Sequence, residues 1–361
     1  MSRPRAHDLG IRIGTGHPGP LNALTDVTGV RVGHRTIVRD HGPHAIRTGV
    51  TAIFPHEGDP WNEWVYAGTH ILNGYGELIG VNQLREWGVL MSPVVLTSSQ
   101  QIGKAYDATF RWMAARDGKA AEQVMPVISE CDDSGLSDIL SFPLTDEDVA
   151  AALDGAVEGP VAEGCVGAGT GMQCFDFKGG VGTASRVLAD EAGAYTVGVL
   201  VLTNYGDRAN LRIDGVPVGR AIADLMPETH TEGSCVVVVA TDAPLLPHQL
   251  RRVAERAGMG LAATGSYASN GSGEQMLAFS TANRLMLGER VVDVAAAVDG
   301  PLEAPWLLSR IFEATVEATQ EAVVNALVAA ETTVGRDGRT LHALPVDRAL
   351  EIMRGAGRLA E

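Results

Sequence analysis

The chain is poor in the features that mark several large functional classes. Its 361 residues include only four cysteines, Cys131, Cys165, Cys174 and Cys235, with no CxxC pair among them. That count is too low and too scattered for a disulfide-dense secreted scaffold, and it gives a zinc site no support. Apolar runs are short: Val199–Leu202 and Val236–Ala240 fall far below the roughly 20 residues a bilayer-spanning helix needs. No Lys/Arg run occurs, and 28 basic against 44 acidic residues give a net charge of −16, which repels phosphate backbones and disfavours nucleic-acid binding. The first residues, Met1 to Asp8, lack the apolar stretch of a signal peptide, so the expected location is cytoplasmic, without membrane attachment. GxSxG, HExxH, P-loop and EF-hand signatures are all missing.

What is abundant is glycine, 43 residues beside 17 prolines, in a chain that is 45% hydrophobic and 20% charged. Such a composition describes a large core and frequent turns. Strands are expected at Val27–Val32, Gly49–Phe54, Val89–Leu96, Val124–Ile128, Tyr195–Leu202 and from Cys235, with a hairpin at Leu211–Gly219. Helices are expected after Ser99, where Ile102, Tyr106, Phe110 and Met113 recur at near-helical spacing, after the capping signal Thr145–Asp148, and from Pro247 to a Gly258 cap. A longer helix over 306–330 would turn Glu313, Glu317 and Glu321 outward, and a short one follows Pro345. Without a linker or repeat, residues 1–361 form one compact α/β domain. The glycine run Gly167–Gly171 fits a dinucleotide fingerprint poorly and suits a packed turn, and His41 and His44 lack further nearby ligands for a metal.

The informative junction is Thr231-Glu232-Gly233-Ser234-Cys235-Val236, where a polar loop runs directly into a strongly apolar strand. Taken alone, this is a loop ending at a core strand. A chemical alternative exists: glycine before serine lets the backbone bring the hydroxyl onto the preceding carbonyl. An N-to-O acyl shift and hydrolysis would then cut Gly233 from Ser234. The freed α-amino group, with a reference pKa near ~8, could act as base toward its own hydroxyl.

The stretch from Gly233 to Leu250 resembles the L-aminopeptidase/D-esterase (DmpA-type) and β-peptidyl aminopeptidase family of self-cleaving, N-terminal-nucleophile-like hydrolases. Gly19–Val27, Gly29–His34, Asn73–Glu77, Lys178–Arg186, Asn204–Arg208 and Arg212–Gly219 match the same family in order, so the resemblance spans about Gly19 to Asn283.

The resemblance implies roles for particular residues. Ser234 is the nucleophile, with Ser272 and Glu274 as its accompanying hydroxyl and carboxylate. Two apart in an extended segment, that pair would point the same way. Asn204 is the expected oxyanion donor. Glu130 is expected to receive the substrate's free amino group. Many relatives carry Tyr two positions later, where this chain has Asp132, whose added negative charge favours amine-bearing or basic substrates. Trp61, Trp64 and Tyr66 could wall a pocket or pack in the core.

The resemblance further implies an αββα four-layer sandwich, cleavage into chains 1–233 and 234–361, a homotetramer and no metal or organic cofactor. The expected activity is that of a serine aminopeptidase or amidase on peptides, amides or esters with a free amine. Three alternatives stay open: an amidase for ω-amino-acid oligomers, an acyltransferase like ornithine acetyltransferase, and an uncut, non-catalytic binding protein.

Overall fold

A computed structural model describes residues 4–41, 44–190, 193–228, 233–289, 291–299 and 306–359. In chain order the strands of its two main sheets are β1 (Arg31–His41), β2 (His44–Phe54), β3 (Glu63–Gly74), β4 (Leu78–Ile79), β5 (Val89–Leu90), β6 (Val94–Ser98), β7 (Val127–Cys131), β8 (Gly180–Asp190), β9 (Gly193–Asn204), β10 (Ser234–Thr241) and β11 (Gly273–Met286). One sheet has the order β1-β2-β6-β7-β4, the other β8-β9-β10-β11-β3-β5. Most neighbours are antiparallel, but β6–β7 and β10–β11 are parallel and each needs a crossover. Helix α1 (Ile102–Ala114) lies in the first crossover, and α3 (Pro247–Ala263) forms the second; α2 (Asp146–Asp154) and α4 (Leu307–Ala329) complete the helical layers.

Alternation along the strands sets the layers. On β10, Val236, Val238 and Ala240 join Leu200, Leu202, Leu277 and Phe279 in a core that also takes Val32, Ile53, Val94, Leu96 and Cys131 from the other sheet. Cys235, Val237 and Val239 face the opposite way, into a cluster with Leu250, Val253 and Ala257 of α3 and Ile311, Val323 and Leu327 of α4. A third cluster joins Ile46, Val50, Val95 and Ile128 to Ala105 and Ala108 of α1 and Val149 of α2. The order is therefore helix, sheet, sheet, helix: the expected αββα sandwich. A strand buried on both faces explains the unbroken valine run, and each such side chain contributes about 1.5–3 kcal/mol on burial. Close layer packing absorbs part of the glycine surplus: a Cβ on Gly182 of β8 would lie 1.9 Å from the Ala322 carbonyl oxygen.

Several local expectations change. The stretch Val89–Leu96 is two strands in different sheets, separated around Pro93, which has no N–H for a ladder. Residues 27–30 lead into β1 rather than belonging to it, and the segment 211–219 holds a single bridge, Ile213 to Val216, in place of a hairpin. Helix α3 runs through Gly258 to Ala263, and its burial against the β-sheet outweighs the local stop signal. Glu317 and Glu321 of α4 are buried, not outward: Arg186 pairs with them at 2.9 and 2.8 Å. The Thr145 cap is present, with the hydroxyl accepting from the Asp148 N–H at 3.2 Å. The Gly167–Gly171 turn packs buried against β1 and β2. His44 belongs to β2 and pairs with Asp138, and the side chain of His41 lies outside the described residues. Trp61 is a core residue, its ring edge-on to Trp112 at 5.8 Å. Among the described residues no helix is long and apolar enough to cross a membrane, and no cluster of three metal-ligating side chains occurs.

Candidate active site

Ser234 opens β10 between two neighbours, paired with Asn204 at the end of antiparallel β9 and with Gly273 at the start of parallel β11. By alternation with Val236 and Val238, its hydroxyl faces the space between the sheets. Asn204 lies on the same face and donates from Nδ2 to Ser234 Oγ at 3.3 Å, while its Oδ1 accepts the Gln173 N–H at 2.9 Å. The second bond fixes which end of the amide meets the serine. Both side chains are buried.

The peptide bond before Ser234 is itself held. The Gly233 carbonyl accepts the Gly273 N–H at 3.2 Å. A Cβ at Gly233 would lie 2.6 Å from Tyr205 Cα and 2.7 Å from the Asn204 carbonyl oxygen, so only glycine fits this approach. Residues 229–232, including Thr231 and Glu232 of the junction, lie outside the described residues.

Ser272 and Glu274 meet Gly233 in a polar cavity of about 20 Å³, lined also by Tyr205, Asp207 and Ser266. A space of that size holds about one water molecule. The Ser272 hydroxyl donates to Glu274 Oε1. Glu274 Oε2 is buried without a hydrogen bond that meets normal geometry among the described residues, and the Asn73 amide close by donates to the Ala268 and Ser269 carbonyls. Burial raises the Glu274 carboxyl above its ordinary value, and hydrogen bonding to Ser272, to its own backbone N–H and to Asn73 opposes that rise. Glu274 sides with Cys235 and Met276, on the helical face of the sheet, whereas Ser234 Oγ faces the other sheet. The pair therefore lies beside the Gly233–Ser234 bond at the strand end.

Glu130 comes from the facing sheet, on β7 beside Cys131, which lies against Ser234. One of its oxygens accepts the Glu77 N–H at 2.9 Å and the other the Ser99 hydroxyl. Desolvation raises its carboxyl, the charge of Asp132 adds to the rise, and the two hydrogen bonds oppose it. Asp132 itself bonds the Ser134 N–H at 2.9 Å and hydroxyl at 2.7 Å, closing the turn that follows β7. Two buried polar residues of these segments were given no role from the sequence: Gln275, 2% exposed on the inter-sheet face, and Asp133, buried and hydrogen-bonded to Ser98 at 2.7 Å. Within a polar glycine turn and an acidic run, neither carries a local signal that separates it from its neighbours.

The four-layer sandwich, with Ser234 at the first position of a central strand, is that of the N-terminal-nucleophile hydrolases. A family model for peptidase family S58 matches residues 22–341, and the chain belongs to that family. It is 41% identical to the beta-peptidyl aminopeptidase BapA of Sphingosinicella xenopeptidilytica, across 98% of this chain and 92% of that protein. The structure of the L-aminopeptidase D-Ala-esterase/amidase of Ochrobactrum anthropi, described as a prototype of the serine aminopeptidases and a new variant of the Ntn hydrolase fold, superposes with a TM-score of 0.92 at 42% identity, over 99% of this chain and all of that one. A Burkholderia sp. beta-aminopeptidase matches with a TM-score of 0.87 at 43% identity, over 98% and 99% of the two chains.

Proposed function

We propose that this aminopeptidase or amidase cuts itself between Gly233 and Ser234 and then uses Ser234 as an N-terminal nucleophile. The observation that carries the reading is the convergence on one peptide bond. Its carbonyl accepts the Gly273 N–H, the following hydroxyl accepts the Asn204 amide, and the preceding residue can only be glycine.

In self-cleavage, Ser234 Oγ attacks the Gly233 carbonyl carbon, charge on the oxygen is met by the Gly273 N–H, the hydroxyl proton passes to the Ser234 nitrogen as the C–N bond breaks, and water hydrolyses the resulting ester to the Gly233 carboxylate and the free Ser234 hydroxyl. The mature residue then supplies both parts of the reaction. Its α-amino group takes the hydroxyl proton as Oγ attacks the substrate carbonyl, returns it to the leaving amine, and water releases the acyl group. Glu274, with Ser272, would hold the ammonium formed midway. Asn204 Nδ2 would donate to the developing oxyanion. Glu130 would bind the substrate's free ammonium, a charge-assisted contact that explains a requirement for an unblocked N-terminus. The mature molecule would be chains 1–233 and 234–361, interlocked in one sandwich, acting on peptides, amides or esters with a free amine. The homotetramer and cytoplasmic location implied by the resemblance belong to the same proposal.

Ser234→Ala tests it. The variant should remain one chain and lose hydrolysis of aminoacyl p-nitroanilides, and a variant that is cut or active would refute the assignment. Comparing free-amine with N-blocked substrates separates the aminopeptidase from an amidase acting inside ω-amino-acid oligomers.

A further inference from the structure

Lys178 has no part in the reaction scheme, yet its side chain is fully buried and has no carboxylate within ion-pair distance among the described residues. Taking an ammonium out of water is costly, and a methionine of similar length would fill the same space without that cost. What the amine has and methionine lacks is donors. Nζ donates to the Gly169 carbonyl at 3.0 Å and to the Gly179 carbonyl at 2.9 Å, with the Cys165 thiol beside it. Desolvation lowers its pKa, and a neutral amine would still keep two N–H donors for those two carbonyls.

The two carbonyls flank a short hairpin in which Gln173–Cys174 pairs antiparallel with Phe177–Lys178. Gly169 lies in the turn Gly167–Gly171 that leads into the first strand, and Gly179 follows the second. Between them the Gly179 N–H donates to the Met172 carbonyl at 2.8 Å. One amine therefore spans the open end of the hairpin from strand to strand. The next pair inward is Gln173 with Lys178, and both of its N–H groups point out of the ladder. That of Lys178 donates to the His342 carbonyl at 2.8 Å, and that of Gln173 to Asn204 Oδ1 at 2.9 Å. The Gln173 N–H is thus what keeps Asn204 Nδ2, rather than Oδ1, on Ser234 Oγ. The two ends of an amide are nearly equal in size, so hydrogen bonding alone opposes a half-turn that would present an acceptor to the oxyanion.

We infer that Lys178 is a positioning residue for the oxyanion donor: by tying Gly169 to Gly179 it fixes the hairpin whose Gln173 N–H orients the Asn204 amide. The inference rests on the reading of Asn204 as that donor. It gives the buried amine a part in the geometry of the site, without substrate contact or proton transfer.

Lys178→Met keeps the length of the side chain and removes its donors. On processed protein at pH 8, with an aminoacyl p-nitroanilide, it should lower kcat about tenfold and leave KM within about twofold, a part of the roughly 10²–10³ that loss of a whole oxyanion donor costs. Gln173→Pro removes the orienting N–H itself, at a position whose N–H takes no part in the ladder, and should lower kcat at least as far. The double variant should be no slower than Gln173→Pro alone, because both changes act through one hydrogen bond. In an Asn204→Asp background, which has no amide to orient, Lys178→Met should change kcat less than twofold. A lysine that only supports the fold would give the same loss in every background.

An unchanged kcat in Lys178→Met, or a tenfold loss that persists beside Gln173→Pro or Asn204→Asp, overturns the assignment. Should Lys178→Met fail to fold, Lys178→Gln, whose shorter side chain keeps an amide donor for one of the two carbonyls, goes through the same comparisons. A kcat loss of at least threefold is then expected, and the same outcomes decide. Failure of the underlying reading is visible separately, as an Asn204→Asp variant that keeps a kcat within threefold of wild type at pH 8.

Discussion

Asn204→Asp replaces one donor by an acceptor and leaves almost everything else in place. Oδ1 can still accept the Gln173 N–H, now held at 2.9 Å, so that buried donor stays satisfied. The atom facing Ser234 Oγ at 3.3 Å changes from an N–H donor to a carboxylate oxygen, which repels a developing oxyanion. Losing one such donor costs roughly 10²–10³ in kcat, or about 2.7–4 kcal/mol, and repulsion adds to it. Asn204→Ala removes the same donor but also orphans the Gln173 N–H, at about 1–3 kcal/mol of stability. Only the alanine variant should therefore show a clear fall in Tm at pH 5. The aspartate variant has a further signature. At this depth an introduced carboxyl is raised by desolvation, and its neutral form is again a donor. Its rate relative to wild type should recover as pH falls from 8 to 5, measured by p-nitroanilide hydrolysis on the processed protein. An aspartate variant within threefold of wild type at pH 8 would refute the role of Asn204, as would a ratio independent of pH.

Other perturbations test separate parts of the site. Gly233→Ala forces a methyl against the Tyr205 and Asn204 backbone, so processing should slow at least tenfold and the intact chain accumulate on denaturing gels; cleavage at the normal rate would show that the close approach is irrelevant. Glu130→Gln should raise KM for free-amine substrates and spare N-blocked esters, and the wild-type acid limb of kcat/KM should lie above the ordinary carboxylate range because burial raises Glu130. Equal loss on blocked esters would contradict that role. Burial also pushes Asp133 up to about 7, so between about pH 4 and 7 the folded chain keeps a proton that the unfolded chain releases, and stability falls as pH rises. Asp133→Asn, which can still accept from Ser98, should thus raise Tm above pH 7 and change it little near pH 4. A Tm difference that does not vary with pH would remove Asp133 as the cause.

Taken alone, the Gly-Ser step at Ser234 is a loop meeting a core strand, and it was the ordered family matches from about Gly19 to Asn283 that singled out Ser234 and its partners. The same valine run hid the sheet faces: with every position apolar, nothing local says that Val236 faces the second sheet and Val237 the helices. Glu317 and Glu321 look like the solvated side of an amphipathic helix, and only Arg186, distant in sequence, makes their burial possible. The division of Val89–Leu96 between two sheets, and the continuation of α3 beyond Gly258, are likewise decided by partners far along the chain. The global sandwich was therefore accessible from the family resemblance, while the buried polar contacts required the assembled layers.

The central claim is that Ser234 becomes an N-terminus. Intact-mass analysis of the purified 37.9 kDa chain, combined with N-terminal sequencing, tests it most directly. The account predicts two tightly associated species, residues 1–233 and 234–361, the second beginning Ser234-Cys235-Val236. A single uncut species that persists on prolonged incubation while hydrolysing free-amine substrates would contradict it.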